Sequence, residues 1–231
     1  AIEKPLKVTI TNLDNNNNEL PSLIIENHPK KPELGNRSLS FSSNLYINQE
    51  DFFDTGIDGK IAPPKGFKRL VKGGQVRLKF AYVITCDEVI RDPATNEVIE
   101  LKCRYHADTK GGKTPDGMKK VKGIIQWLSD KDAVPIVLNV YDRLFLTPNP
   151  GSEQPDGDFL KDINPNSLTV LSNALVEKNV IDNIVDKGKR DAYQFERVGY
   201  FILDDVDSKV EDKKYVFNRI VTLKDGWNQK S

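Results

Sequence analysis

Cysteine, histidine, methionine and tryptophan are all scarce in this chain, with two Cys, two His, one Met and two Trp in 231 residues. A zinc site needs several convergent Cys and His ligands, commonly at CxxC or HxxxH spacings. Cys86, Cys103, His28 and His106 form neither pattern, so no metal site is expected. No apolar stretch comes near the ~20 residues of a membrane-spanning helix. The charged opening from Ala1 to Thr11 lacks the apolar run of a secretory signal. Without a secretory mark, the two cysteines are expected to be reduced. They nevertheless lie equidistant from the turn Pro93-Ala94-Thr95-Asn96, and a regular hairpin would set them opposite each other. Ala1 stands where an initiator Met would be and strand-like sequence begins almost at once, so the chain is expected to be a piece of a longer protein.

Catalytic signatures are missing too. Gly112-Lys113-Thr114 echoes a phosphate-binding loop, but the upstream glycine it requires falls on Ala107. There is no GxGxxG opening a helix and no GxSxG elbow. Asp204, Asp205, Asp207, Glu211 and Asp212 crowd one polar stretch and read as a solvated acidic loop rather than a matched acid–base pair. No catalytic residue and no cofactor is expected in this chain itself.

What is present is charge segregation. The totals cancel, with 34 basic and 34 acidic residues. Yet Lys60 to Cys86 carries seven basic residues and no acid, and Lys60 to Lys122 carries fifteen against seven, a local net of +8. A basic middle segment of this kind points to a polyanionic partner.

Hydrophobic residues alternate in short runs punctuated by Gly, Pro, Asn and Asp, and helical periodicity is rare, so the chain reads as all-β, with barrels or sandwiches as the candidate architectures. Strands are expected around 7–11, 23–25, 38–41, 44–47, 76–84, 98–105, 121–127, 135–141, 193–203 and 215–223, with a short helical turn at Gln49–Phe52. Residues 174–185 are the one segment where helix competes with strand. If 76–84 is one strand, Val76, Leu78, Phe80, Tyr82 and Ile84 share the core face. Arg77 and Lys79 then project together from the other. The length suits two small domains better than one.

The run Gln194-Phe195-Glu196-Arg197-Val198-Gly199-Tyr200-Phe201 mixes an amide, an acid, a guanidinium and aromatics. Such a mixture suits unstacked bases, which are held by aromatic or guanidinium planes and hydrogen-bonded at their edges. Together with Asn27-His28-Pro29, Lys68-Arg69-Leu70-Val71, Val76 to Ile84, His106-Ala107-Asp108-Thr109, Tyr141-Asp142-Arg143-Leu144-Phe145, Pro148-Asn149-Pro150-Gly151 and Val216-Phe217-Asn218-Arg219, it resembles the C-terminal anticodon-binding region of glutaminyl-tRNA synthetases. The resemblance spans nearly the whole chain.

That resemblance implies two β-barrels, one inserted in the other, with few short helices. The proximal barrel would comprise 1–67 plus 144–231 and the distal barrel 68–143. It implies a partner, the anticodon loop of a glutamine tRNA, with Arg69 at the third base, Arg77 and Lys79 at the first, and Gln194, Glu196 and Arg197 around the central one. Lysine at 79 lacks arginine's planar fork and is suited to phosphate. Arg143 is expected to be structural, and Trp127 and Trp227 to pack. The parent enzyme would be a cytoplasmic, monomeric class I ligase using ATP and magnesium in a catalytic domain absent here. Neither class I signature occurs in this chain, and Met118-Lys119-Lys120 only superficially echoes one of them. The competing readings are the matching region of a eukaryote-type glutamyl-tRNA synthetase, a stand-alone ribosomal-RNA-binding β-barrel, and a protein-interaction module.

Overall fold

The computed structural model describes residues 1–13, 20, 22–28, 30–187 and 191–223. Among them are fourteen strands: β1 (Pro5–Ile10), β2 (Leu23–Glu26), β3 (Asn36–Leu39), β4 (Asn44–Asn48), β5 (Gln75–Leu78), β6 (Val83–Arg91), β7 (Val98–His106), β8 (Ile124–Ile125), β9 (Leu128–Ser129), β10 (Ala133–Tyr141), β11 (Leu168–Glu177), β12 (Tyr193–Phe195), β13 (Gly199–Leu203) and β14 (Val216–Val221). One α-helix, α1 (Lys178–Lys187), and short 3-10 turns complete the described elements. The chain is all-β in class. Its two larger sheets are curled like half-barrels.

Two compact units are present. One comprises Ile2–Val134 with Leu175–Ile181, and the other Ala1, Pro135–Ala174 and the described residues from Asp182 on. β1 pairs antiparallel with β4 and parallel with β7, so the first segment and the basic middle share one sheet. Within β1, Leu6, Val8 and Ile10 are buried while Lys7 and Thr9 are partly exposed, the alternation that a half-buried strand imposes.

The first unit holds a seven-stranded sheet in the order β8-β5-β6-β7-β1-β4-β9, plus the β2–β3 hairpin. Val8, Leu45, Ile47, Val76, Ile84 and Leu101 lie in its core. Cys86 and Cys103 face each other across β6 and β7 and are buried free thiols. The hydrogen bond to Cys86, reinforced by burial, pushes the Cys103 thiol up, away from the reactive thiolate. The second unit carries the sheet β11-β10-β14-β13-β12. Phe195, Phe201 and Phe217 fill its core, with the Phe195 and Phe201 rings stacked at 4.9 Å.

Two segments fold otherwise than their pattern suggests. Residues 76–84 are a hairpin, not one strand: β5 pairs with β6 through Val76↔Ile84 and Arg77↔Val83, and the chain reverses at Lys79–Ala81. Residues 174–185 are strand to Glu177 and helix from Lys178, so both readings hold in succession. Ile181 and Ile184, one turn apart, form the buried side of that helix. Gln49–Asp51 is a 3-10 turn, as expected. Trp227 and Asp14–Asn18 lie outside the described residues.

Candidate nucleic-acid interface

In the first unit, an open groove of about 650 Å³ is lined by Pro64, Lys65, Gly66, Phe67, Lys68, Arg69, Lys122, Gly123 and Ile124. Four of these are cationic and none is acidic, the lining an anionic ligand favours. Gly123 makes the groove possible. A β-carbon there would lie 1.7 Å from the Lys68 carbonyl oxygen, so only glycine lets the two walls approach this closely.

Arg69 is half-buried at the groove and is not a loose surface cation. Its Nε lies 3.2 Å from Asp51 Oδ1, on a carboxylate that is almost wholly buried. Its Nη1 donates to the Glu50 carbonyl at 2.9 Å. The 3-10 turn Gln49–Asp51 supplies both acceptors, so the local backbone fixes the plane of the guanidinium.

Arg77 is placed differently from the expectation. It is buried, with Nη1 donating to the Thr109 carbonyl at 2.9 Å and Nη2 to the Lys113 carbonyl at 3.0 Å. The strand face on which it stands is covered by the 3-10 segment Ala107–Gly112, which no strand pattern could signal. Thr109 completes the lock, since its hydroxyl donates to the His106 carbonyl and accepts the Val83 N–H. Arg77 meets the groove wall through its main chain, where its N–H donates to Gly123 O. Lys79 lies at the hairpin tip, its Nζ 4.9 Å from the centroid of the Phe80 ring. Arg77 and Lys79 therefore do not project side by side.

In the second unit, Gln194, Glu196 and Arg197 share one hairpin. Gln194 is exposed on β12 directly opposite Tyr200 on β13, while Phe195 points into the core. Glu196 and Arg197 are exposed at the turn, and Arg197 adopts a left-handed φ of 69°. The Val198 N–H closes the turn onto Phe195 O at 2.9 Å. The sequence reading missed Tyr200 as a surface group. The signal was available, because Gln194 and Tyr200 are six residues apart around a reversal that puts both on one face. Arg143 is partly exposed, with its Nε 3.8 Å from Asp142 Oδ1, and its carbonyl accepts from Asn164 Nδ2. Trp127 is buried and its indole N–H donates to Lys79 O.

Among the described residues no three His, Cys, Asp or Glu side chains gather as metal ligands. No helix among them is long and apolar enough to cross a membrane.

A β scaffold with a cation-lined groove in one unit and a hairpin of amide, acid, guanidinium and exposed tyrosine in the other has the features of RNA-recognition modules. The family follows from comparison. Residues 1–106 and 124–204 match two models of the anticodon-binding domain of class I (E and Q) tRNA synthetases, and the chain belongs to that family. It is 44% identical over 229 residues to the glutamine–tRNA ligase of Ectopseudomonas mendocina, which covers 99% of this chain and 38% of that protein. It is 44% identical over 227 residues to the enzyme of the same name from Pseudomonas putida, covering 98% of this chain and 37% of that protein. The Azotobacter vinelandii enzyme is 42% identical over 229 residues, again 99% of this chain and 38% of its own length. The chain thus corresponds to the anticodon-binding region of glutamine–tRNA ligases and spans well under half of their length.

Proposed function

We propose that this chain reads the anticodon loop of a glutamine-accepting tRNA on behalf of a catalytic domain elsewhere in a longer, monomeric cytoplasmic protein, which joins glutamine to that tRNA with ATP and magnesium. The observation that carries this reading is Arg69, a guanidinium held in one plane by Asp51 and Glu50 O at the wall of an acid-free groove. A planar fork so held suits a guanine edge, and Arg69 serves the third anticodon base. Gln194 both donates and accepts, which suits a pyrimidine edge, and with Glu196 and Arg197 it serves the central base. Lys79 takes a phosphate or the first base. Arg77 supports that contact from below by holding the segment that carries Lys110 and Lys113.

The test is binding of a glutamine anticodon stem-loop, and of versions changed at one anticodon base, across a salt series. Cognate preference with affinity falling steeply as salt rises supports the reading. Affinity indifferent to the anticodon would favour a ribosomal-RNA barrel instead. Preference for a glutamate anticodon would favour the glutamyl enzyme, and binding without salt dependence a protein-interaction module.

A further inference from the structure

The sequence pattern puts Phe80 in the core, but the fold puts it at the tip of the β5–β6 hairpin. The residue is 50% exposed. The turn closes with Ala81 N–H on Leu78 O at 3.0 Å and Leu78 N–H on Tyr82 O at 2.8 Å. At the third position of this turn Phe80 has φ of 64°, a left-handed conformation that glycine or asparagine adopts readily and a bulky aromatic does not. A strained backbone that displays a large apolar ring to water is the opposite of what folding alone selects.

Three hydrogen bonds from two neighbouring segments hold the tip in place. Lys79 N–H donates to Ile125 O, Trp127 Nε1 donates to Lys79 O, and Gly111 N–H donates to Ala81 O. The last bond brings the exposed Lys110 alongside the tip. Lys79 Nζ lies over the Phe80 ring. The result is an aromatic ring on a fixed support with one cation over it and another alongside the tip, the combination by which single-stranded nucleic acid is held without reading base identity.

We infer that Phe80 is a stacking platform for an unpaired nucleotide of the bound RNA loop, with Lys79 and Lys110 facing the flanking phosphates. The inference rests on the RNA-binding reading above. It adds a base contact that is indifferent to sequence, distinct from the edge-reading groups.

The experiment uses the full chain and a glutamine anticodon stem-loop carrying 2-aminopurine at one loop position at a time. Phe80→Asn suits the left-handed backbone and removes the ring, whereas Phe80→Tyr keeps the ring. Phe80→Asn is expected to leave the melting temperature unchanged or higher, yet to weaken binding about tenfold, the usual effect of losing one aromatic stack. One 2-aminopurine position should be quenched on binding to the unaltered chain and to Phe80→Tyr, and not to Phe80→Asn. Unchanged affinity and quenching in Phe80→Asn, or an equal loss in Phe80→Tyr, overturns the inference. Failure of the unaltered chain to bind the stem-loop overturns the RNA reading itself, and the first titration shows that before any variant is made. Should Arg69→Ala weaken binding while Phe80→Asn does not, the inference fails and the RNA reading stands.

Discussion

Arg77 and Thr109 are joined by a buried hydrogen bond, guanidinium to main-chain carbonyl, at 2.9 Å. A residue that reads as a surface cation is therefore an internal brace, tying β5 to the segment that carries Lys110 and Lys113.

Arg77→Ala should lower stability by about 2 kcal/mol or more, because two charge-assisted hydrogen bonds are lost and two carbonyls are left unpaired. Urea unfolding measures this. Arg77→Lys should recover little, since an ammonium cannot span both carbonyls. RNA affinity should fall in parallel with local protection of residues 107–113 from hydrogen exchange. A variant as stable as the unaltered chain would show the brace to be dispensable.

Arg69 and Asp51 should behave as a coupled pair. Arg69→Ala removes the guanidinium beside a buried carboxylate and should destabilise by about 1–3 kcal/mol. Adding Asp51→Ala should restore part of that loss while leaving third-base discrimination abolished. Strictly additive melting shifts in the double variant would mean that the two side chains do not sense each other.

Gly123→Ala should be poorly tolerated. The added methyl falls 1.7 Å from Lys68 O, so the walls must part. A loss of about 1–3 kcal/mol is expected by analogy with overpacked sites. The useful readout is the ratio of affinities for stem-loops with matched and mismatched third bases, which should collapse more than affinity for RNA in general.

Asp54 links pH to stability. The hydrogen bond from Arg91 at 2.6 Å holds its carboxyl below the usual value, against an opposing push from burial and with help from the Gly56 N–H. The folded state thus binds the proton less tightly than the unfolded chain. The contribution is fully present above the unfolded carboxylate value of about 4 and is lost as pH falls through the lower folded value. Asp54→Asn should therefore flatten the acid limb of a melting-temperature profile while changing little at neutral pH beyond a constant offset. An unaltered acid limb would refute the linkage.

The outward-facing groups of the candidate hairpin were legible because they occur in one short contiguous run. Gln194 to Phe201 is a hairpin whose alternation decides by itself which groups face outward, and the Phe195 side chain points inward as strand periodicity requires. Lys79 and Phe80 were misplaced for one reason. Periodicity assumes that a strand continues, and nothing in Leu78-Lys79-Phe80-Ala81 announces a reversal when phenylalanine sits where glycine or asparagine is usual.

The linear order of residues determined the all-β class, the basic middle and the family, since all three depend on local alternation, composition and ordered motifs. Tertiary structure alone decided which cations face solvent. The burial of Arg77 depends on a segment more than thirty residues away folding across its strand, and the fixed plane of Arg69 depends on an acid eighteen positions earlier. Whether a charged side chain braces the fold or meets a ligand is a matter of what covers it, and covering is a long-range contact that no local pattern encodes.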